Sequence, residues 1–133
     1  MSVYPAMRRD YGDTWELVGN WQADIPGKPT RRILIRHGFR TDGATIPMWA
    51  WSVIGHPFDG EFIRAALVHD ALYVHHGLRR ITADRIFRDI LIQDGTPSWK
   101  ASMMYGAVRA MGGAAWEDPA RGDASHFISI SSA

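Results

Sequence analysis

The chain has no cysteine, almost no net charge and no long hydrophobic run. Without cysteine it forms no disulfide, no thiolate nucleophile and no cysteine-ligated zinc site. A formal net charge of +1 gives no bulk attraction to nucleic acid, so we expect no nucleic-acid partner. No apolar run approaches the roughly 20 residues of a membrane-spanning helix, and residues 1–10 lack the apolar core of a signal peptide. These absences predict a chain that is made and folded in a cytoplasm, wherever it finally resides.

The composition is that of a globular protein. Hydrophobic residues make up 46% of the chain and charged residues 22%, a balance that supports a packed core. A length of 133 residues fits one domain. We therefore expect a single domain over 1–133, with a β-rich part over 1–44, a helical core over 45–113 and an irregular tail over 114–133.

The first third of the chain carries β-strand signals. WELVGNWQAD at 15–24 has β-compatible residues bounded by turn formers, and RRILIRHG at 31–38 alternates well enough for a second strand. The Pro/Gly connection IPGKPT joins them, so we predict a hairpin that residues 39–42 extend or flank. Because an isolated hairpin is only marginally stable, it needs a further layer to pack on.

Helical signals follow from Thr45 onward. Threonine, aspartate or an early proline marks each start and glycine each stop, and the predicted helices cover about 45–55, 61–76, 82–95 and 96–113. The third carries Asp84 in its first turn, and HFISI at 126–130 is a candidate late strand. The predicted fold class is α+β, mostly helical, with an N-terminal β-hairpin and two antiparallel central helices.

The stretch AALVHDALYVHH, residues 65–76, puts His69 and Asp70 side by side in what otherwise has the pattern of a buried helix. A buried charge is costly unless it is paired or hydrogen-bonded, so these groups either have partners elsewhere or serve chemistry. At helical spacing His69 and Tyr73 share one face, and Asp84 lies on the facing side of the next helix. We expect the His69 ring to come within hydrogen-bond reach of the Asp84 carboxylate.

A contact between His69 and Asp84 has two interpretations. In the first, the carboxylate fixes the histidine tautomer and the second ring nitrogen takes a proton from water, while Asp70 binds a cation that polarises a carbonyl. In the second, His69 and Asp84 simply satisfy each other where two helices pack. The spacing alone favours the second interpretation.

The segments AALVHDALY at 65–73 and ADRIF at 83–87 resemble the catalytic core of secreted and parvoviral phospholipases of the A-two type. The resemblance implies His69 as general base, Asp84 as its orienting carboxylate, Tyr73 as a supporting hydrogen-bond donor and Asp70 as a calcium ligand. It also implies phospholipid or a membrane surface as a partner. The glycine-rich calcium loop of those enzymes is not visible upstream, and the histidine and aspartate are closer in sequence here.

A second resemblance covers residues 39–113. FRTDGATIPMWAW, GHPFDGEFIRAALVHDALY, RRITADRIF and MMYGAVRAMGG together resemble a family of short bacteriophage and prophage proteins of unknown function. The resemblance implies a bacteriophage origin, synthesis in the cytoplasm of a bacterial host, and other virion proteins as partners. It supplies no mechanism.

The stretch TDGATIP at 41–47 is the other candidate for function. A turn at Asp42-Gly43 followed by a helix start explains most of it. In the functional interpretation, Asp42 joins Asp70 in holding calcium and carbonyls around Gly43 replace the cation loop, or Thr41 and Thr45 bond to the His-Asp face. Thr41 and Gly43 are the candidate substrate contacts. The structural interpretation is favoured here.

Two further clusters are open to both kinds of interpretation. Arg79, Arg80 and Arg85 lie near Asp84 in sequence and either pair with acids or face a phosphate group, Arg80 being the candidate substrate contact. The last predicted helix carries apolar residues that either pack in the core or dip into a membrane, and we expect core packing of Trp99, Met103, Met104 and Met111.

Two functional classes therefore stay open. One is a phospholipase-like ester hydrolase that uses a His69–Asp84 dyad. The other is a non-enzymatic component of a phage virion, of tail or baseplate type, in which the same residues form a buried network and tryptophans bury subunit contacts. The exposure of the His69 ring bears on the choice, because a ring facing a cleft favours the enzyme and a ring sealed in the core favours the network.

Overall fold

The computed structural model describes residues 4–9, 14–41, 46, 49–50, 52 and 62–133. Within these residues, six β-strands precede or follow a run of helices, so the predicted α+β class is confirmed. The strands are β1 (Met7–Arg9), β2 (Trp15–Leu17), β3 (Trp21–Ile25), β4 (Arg31–Ile35), β5 (Arg40–Thr41) and β6 (Ile128–Ser132). The helices are α1 (Ile63–His75), α2 (Arg80–Gln93), α3 (Ser98–Met111) and α4 (Gly113–Glu117), followed by a 3₁₀ helix over Pro119–Phe127.

The strands form two antiparallel sheets of three strands each, in the orders β1-β2-β5 and β3-β4-β6. The predicted hairpin is present as β3 and β4, and β5 is the flanking strand expected from residues 39–42 as far as Thr41. The predicted first strand is wrong in one respect, because it is broken into β2 and β3. Gly19 at the break has φ +87°, and its N–H donates to the His37 ring, so the chain turns there and enters the second sheet.

The helices begin and end close to the predicted positions. α2 begins two residues earlier than predicted, so Asp84 lies beyond its first turn. α1 ends at His76, which has the left-handed conformation with φ 59°, and not at the predicted Gly77. The tail was predicted to be irregular, which is wrong, since α4, the 3₁₀ helix and β6 follow one another there. For the predicted helix at 45–55, the described residues Trp49, Ala50 and Ser52 are helical, and the others lie outside the described residues.

Helix α1 is the centre of the domain. Ten consecutive residues, from Ala65 to Val74, are buried, as expected of a helix covered on all sides. It packs against α2, α4, the 3₁₀ helix and β6. Any ionisable group on this helix therefore needs a partner within the protein.

The outer face of α3 departs from expectation. Met104 is buried as predicted, but Trp99, Met103 and Met111 are exposed, so the prediction that they pack in the core is wrong. Trp99 and Met103 are four residues apart and share one helix face. No helix in the described part of the chain is both long and apolar enough to cross a bilayer.

Candidate functional site

The site is built where α1 and α2 pack as antiparallel neighbours. Their register is visible in the side-chain contacts: Arg64 bonds Asp94 at one end, and Tyr73 bonds Arg80 at the other. Asp84 lies between these contacts and faces His69. The short connection between the helices thus brings together two residues that are far apart in sequence, and the predicted contact is confirmed.

The carboxylate of Asp84 is bonded on both oxygens. Its Oδ1 accepts a 2.7 Å hydrogen bond from the Tyr73 hydroxyl and lies 2.7 Å from Nε2 of His69. Its Oδ2 accepts from Nη1 of Arg109 at 2.8 Å and forms a longer ion pair of 3.7 Å with Nη1 of Arg80. Residues from α1, α2 and α3 therefore converge on one carboxylate.

Arg80 links this centre to the end of α3. Its guanidinium donates to the carbonyl oxygens of Val108 and Arg109, both at 3.1 Å, and to the Tyr73 hydroxyl at 3.3 Å. A cation is favourable at a helix C-terminus, where carbonyl groups lack partners within the helix. The predicted substrate-binding Arg80 is thus engaged with protein groups.

The surroundings set the protonation of Asp84 and Tyr73. Burial alone would raise the pKa of Asp84, but hydrogen bonds from His69, Tyr73 and Arg109 outweigh it and leave the pKa below its ordinary value. Burial raises the pKa of Tyr73 well above its ordinary value, and the bond to Asp84 raises it further. At neutral pH, Asp84 is therefore ionised and Tyr73 is a protonated donor.

The His69–Asp84 pair is sealed from solvent. His69, Tyr73 and Asp84 each expose 0% of their surface. The imidazole ring packs between two aromatic rings, with centroids 4.3 Å from Tyr73 and 4.7 Å from Phe87. This burial favours the structural network over an open catalytic dyad.

Asp70 faces a different environment from His69. Its buried carboxylate accepts a hydrogen bond from the Arg121 guanidinium of the 3₁₀ helix. Asp70 and Arg121 line a cleft of about 190 Å³ together with Thr41, so the structure brings two of the predicted site residues into one place. Asp42 and Gly43 lie outside the described residues, and the described part of the chain contains no group of three or more potential metal ligands. Calcium binding thus stays a prediction.

A protein family covers most of this region. The family model described as "Protein of unknown function (DUF1353)" matches residues 15–108, a span that includes His69, Tyr73, Arg80 and Asp84. The chain belongs to this family. Membership agrees with the predicted resemblance to a family of unknown function, whereas the bacteriophage origin stays a prediction.

Two proteins of Sinorhizobium fredii are similar to this chain. Uncharacterized protein y4jT is 39% identical over 75 residues, and uncharacterized protein y4iH is 34% identical over 73 residues. The alignments cover 56% and 55% of this chain but 22% and 30% of the relatives, so the chain spans less than a third of their length. No solved structure matches the chain.

Sequence analysis missed three members of the site. Arg109 and Arg121 lie 25 and 51 residues from the aspartates that they bond, and no local pattern links such distant positions. The third member, Gly112, allows close packing. A Cβ at this position would lie 2.5 Å from both the Tyr73 hydroxyl and the Val108 carbonyl oxygen. The predicted stop signal at Gly112-Gly113 marked the end of the helix but not this contact.

Replacing Gly112 by alanine is expected to destabilise the domain, because the added methyl group displaces Tyr73 from Asp84. We expect a loss of about 1–3 kcal/mol in the free energy of unfolding, measured by urea titration. Gly106→Ala is the matched control: it lies in the middle of α3, where no atom lies within 4 Å of an added Cβ. That change is expected to stabilise by about 0.5–1 kcal/mol. Equal effects of the two substitutions would contradict the packing role of Gly112.

Replacing Asp84 by asparagine is expected to change how stability depends on pH. Because the folded-state pKa of Asp84 is lowered, its ionised form stabilises the fold above about pH 4, and this contribution is lost as the pH falls through the folded-state pKa. Asp84→Asn therefore lowers stability at pH 7 by about 2 kcal/mol or more and loses less on acidification than the wild type. Asp24→Asn, which breaks an exposed ion pair with Arg32, is the control and should cost under about 1 kcal/mol. Parallel pH profiles for wild type and Asp84→Asn would exclude the ionised network.

Proposed function

We propose that the chain is a non-enzymatic structural component of a phage-type particle, of the tail or baseplate kind, in which the Asp84 network holds three helices together. The observation that carries the proposal is the complete burial of His69, Tyr73 and Asp84. A general base must come within hydrogen-bond reach of a substrate or a water molecule, whereas a structural network needs no such access. Bonds on both oxygens of Asp84 suit the structural role, because a buried carboxylate without partners would be costly.

Exposed apolar side chains on α3 support a role in an assembly. Trp99 is 59% exposed and Met111 is 56% exposed, and Met103 lies on the same helix face as Trp99. The indole N–H of exposed Trp49 lies 3.2 Å from the Met111 sulfur, so these side chains extend the apolar surface beyond α3. Large exposed apolar patches in soluble proteins commonly mark sites of protein interaction. The virion as the setting comes from the resemblance of the sequence motifs to phage and prophage proteins.

A second candidate function, ester hydrolysis of the phospholipase type, is favoured by the bonds around Asp84. One carboxylate oxygen bonds both Nε2 of His69 and the hydroxyl of Tyr73, which is the arrangement that the resemblance to phospholipases implies. In this candidate, His69 takes a proton from water as the water oxygen attacks the ester carbonyl. The protonated His69 then gives that proton to the leaving alkoxide as the ester C–O bond breaks, which releases the fatty acid and the alcohol. The buried ring does not exclude it, because catalytic groups often reach their working geometry only with substrate bound.

Replacing His69 by glutamine separates the two functions. The structural proposal expects a loss of about 1–3 kcal/mol in unfolding free energy, because a buried hydrogen bond is disturbed, and no lipid hydrolysis by the wild type. Hydrolase function instead expects the wild type to release fatty acid and the variant to lose about 10²–10⁴-fold in rate while remaining folded. The measurements are fatty-acid release from phosphatidylcholine and phosphatidylglycerol vesicles and thermal unfolding, with His126→Gln as the control on an exposed histidine. Release that depends on His69 overturns the structural proposal.

Calcium offers a separate test of the hydrolase candidate. If Asp70 and Asp42 hold the ion, millimolar calcium raises the melting temperature, because a ligand that binds the native state stabilises it. Asp70→Asn should abolish that rise. Since Asp70 already bonds Arg121, Arg121→Gln is the informative partner variant, and it should strengthen the calcium effect by removing the competing cation. An unchanged melting temperature in all three proteins removes calcium from the hydrolase candidate.

A further inference from the structure

A second and larger cleft lies away from the Asp84 network. It has a volume of about 480 Å³ and opens between the turn that joins β3 to β4 and the connection that leads into α2. Four cationic side chains line it, Lys28 and Arg31 from the sheet side and Arg79 and Arg85 from the helix side. The cleft is thus formed by two separate parts of the fold, each of which contributes two positive charges.

These four cations differ from all the others in the described residues. Outside the cleft, every described lysine or arginine has a bonded partner or another attractive contact, such as Arg32 with Asp24 or Lys100 over the Trp99 ring. The side chains of Lys28, Arg31, Arg79 and Arg85 make no hydrogen bond or ion pair with any described residue. The cationic side chains that lack a partner in the described part of the chain therefore all lie in one cleft.

Among the described residues that line the cleft, one is a carboxylate, and it does not neutralise the cluster. Asp89 lies 3.4 Å from the guanidinium of Arg88, its neighbour in the chain. Four positive charges then face one carboxylate that already has a partner. Like charges brought together repel one another, and the repulsion is relieved when an anion binds between them.

We propose that this cleft binds a phosphate group. A guanidinium presents a planar fork of donors that matches two phosphate oxygens, and a lysine adds a mobile point charge. A phosphate dianion offers three or more acceptor oxygens, which suits donors arriving from two sides better than a single carboxylate does. Thr82 also lines the cleft and adds a hydroxyl donor. The phosphate belongs either to a small soluble molecule or to a lipid headgroup, and the test distinguishes these sources.

The cleft is independent of the proposed function. Arg85 is exposed and Asp84 is fully buried, so these neighbouring residues of α2 point in different directions. The buried Ile86 forms the inner wall of the cleft. Substitutions of Arg85 and Arg31 therefore leave the Asp84 network in place.

The test is a titration of the full chain with inorganic phosphate at constant ionic strength, followed by the NMR shifts of backbone amides. Saturable binding is expected, with the largest shifts at Gly77, Leu78 and Thr82. Arg31→Gln and Arg85→Gln should each weaken binding about tenfold or more, because each removes a charged hydrogen-bond donor. Arg32→Gln is the matched control, since it removes the same charge from the next position of β4, where the side chain points to the opposite face and bonds Asp24.

A second arm uses vesicles of phosphatidylcholine with and without phosphatidic acid, measured by co-sedimentation. Binding of inorganic phosphate without vesicle binding assigns the site to a soluble phosphate compound. Vesicle binding that needs phosphatidic acid and is lost in Arg85→Gln but not in Arg32→Gln assigns it to a lipid headgroup. Binding in neither arm overturns the proposal, and so does an equal loss in Arg32→Gln, which indicates nonspecific attraction. Unfolding curves of each variant establish that the fold is retained.

Discussion

The carboxylate of Asp84 is the point at which the helical part of the domain is joined. It takes hydrogen bonds from a residue of α1 and from a residue of α3 while belonging to α2 itself. Burial makes these bonds necessary, because an ionised carboxylate away from water is stable only when its oxygens are fully engaged. The positions of three helices are thereby coupled, since moving any one of them leaves a charge or a donor without its partner.

The same constraint applies to α1, which is buried on all sides and yet carries two adjacent polar side chains. Each of them has a bonded partner on another element. His69 is satisfied through Asp84, and Asp70 is satisfied through Arg121 of the 3₁₀ helix. The two adjacent residues thus point to different partners, one in the helical core and one in the C-terminal region. What begins as a His-Asp pair in the sequence is, in the fold, two separate connections from the central helix to its neighbours.

Local sequence signals predicted much of this fold, and distant contacts account for what they missed. The approximate helix limits and the β3–β4 hairpin follow from turn residues and alternation, and the His69–Asp84 contact follows from a short connection between two helices with matching faces. Side-chain caps do not set the helix starts, because Phe62, Arg79 and Pro97 precede α1, α2 and α3 and make no capping hydrogen bond. The division of the first strand depends on His37 bonding the Gly19 amide, and the ordered tail depends on Arg121 and β6 reaching residues far upstream. Helical periodicity places Trp99 and Met103 on one face, but it cannot tell whether that face meets the core or solvent.

The charged groups of the molecule are of two kinds, those that are paired within the chain and those that are not. Asp84 and Asp70 each form an ion pair with an arginine of the chain, so both buried carboxylates have a cationic partner. By contrast, the four cationic side chains of the cleft beside α2 make no ion pair with the described residues, and Trp99, Met103 and Met111 of α3 stay exposed. Partners are therefore to be sought first on these two surfaces, because both carboxylates of the buried centre already have a cation within the chain.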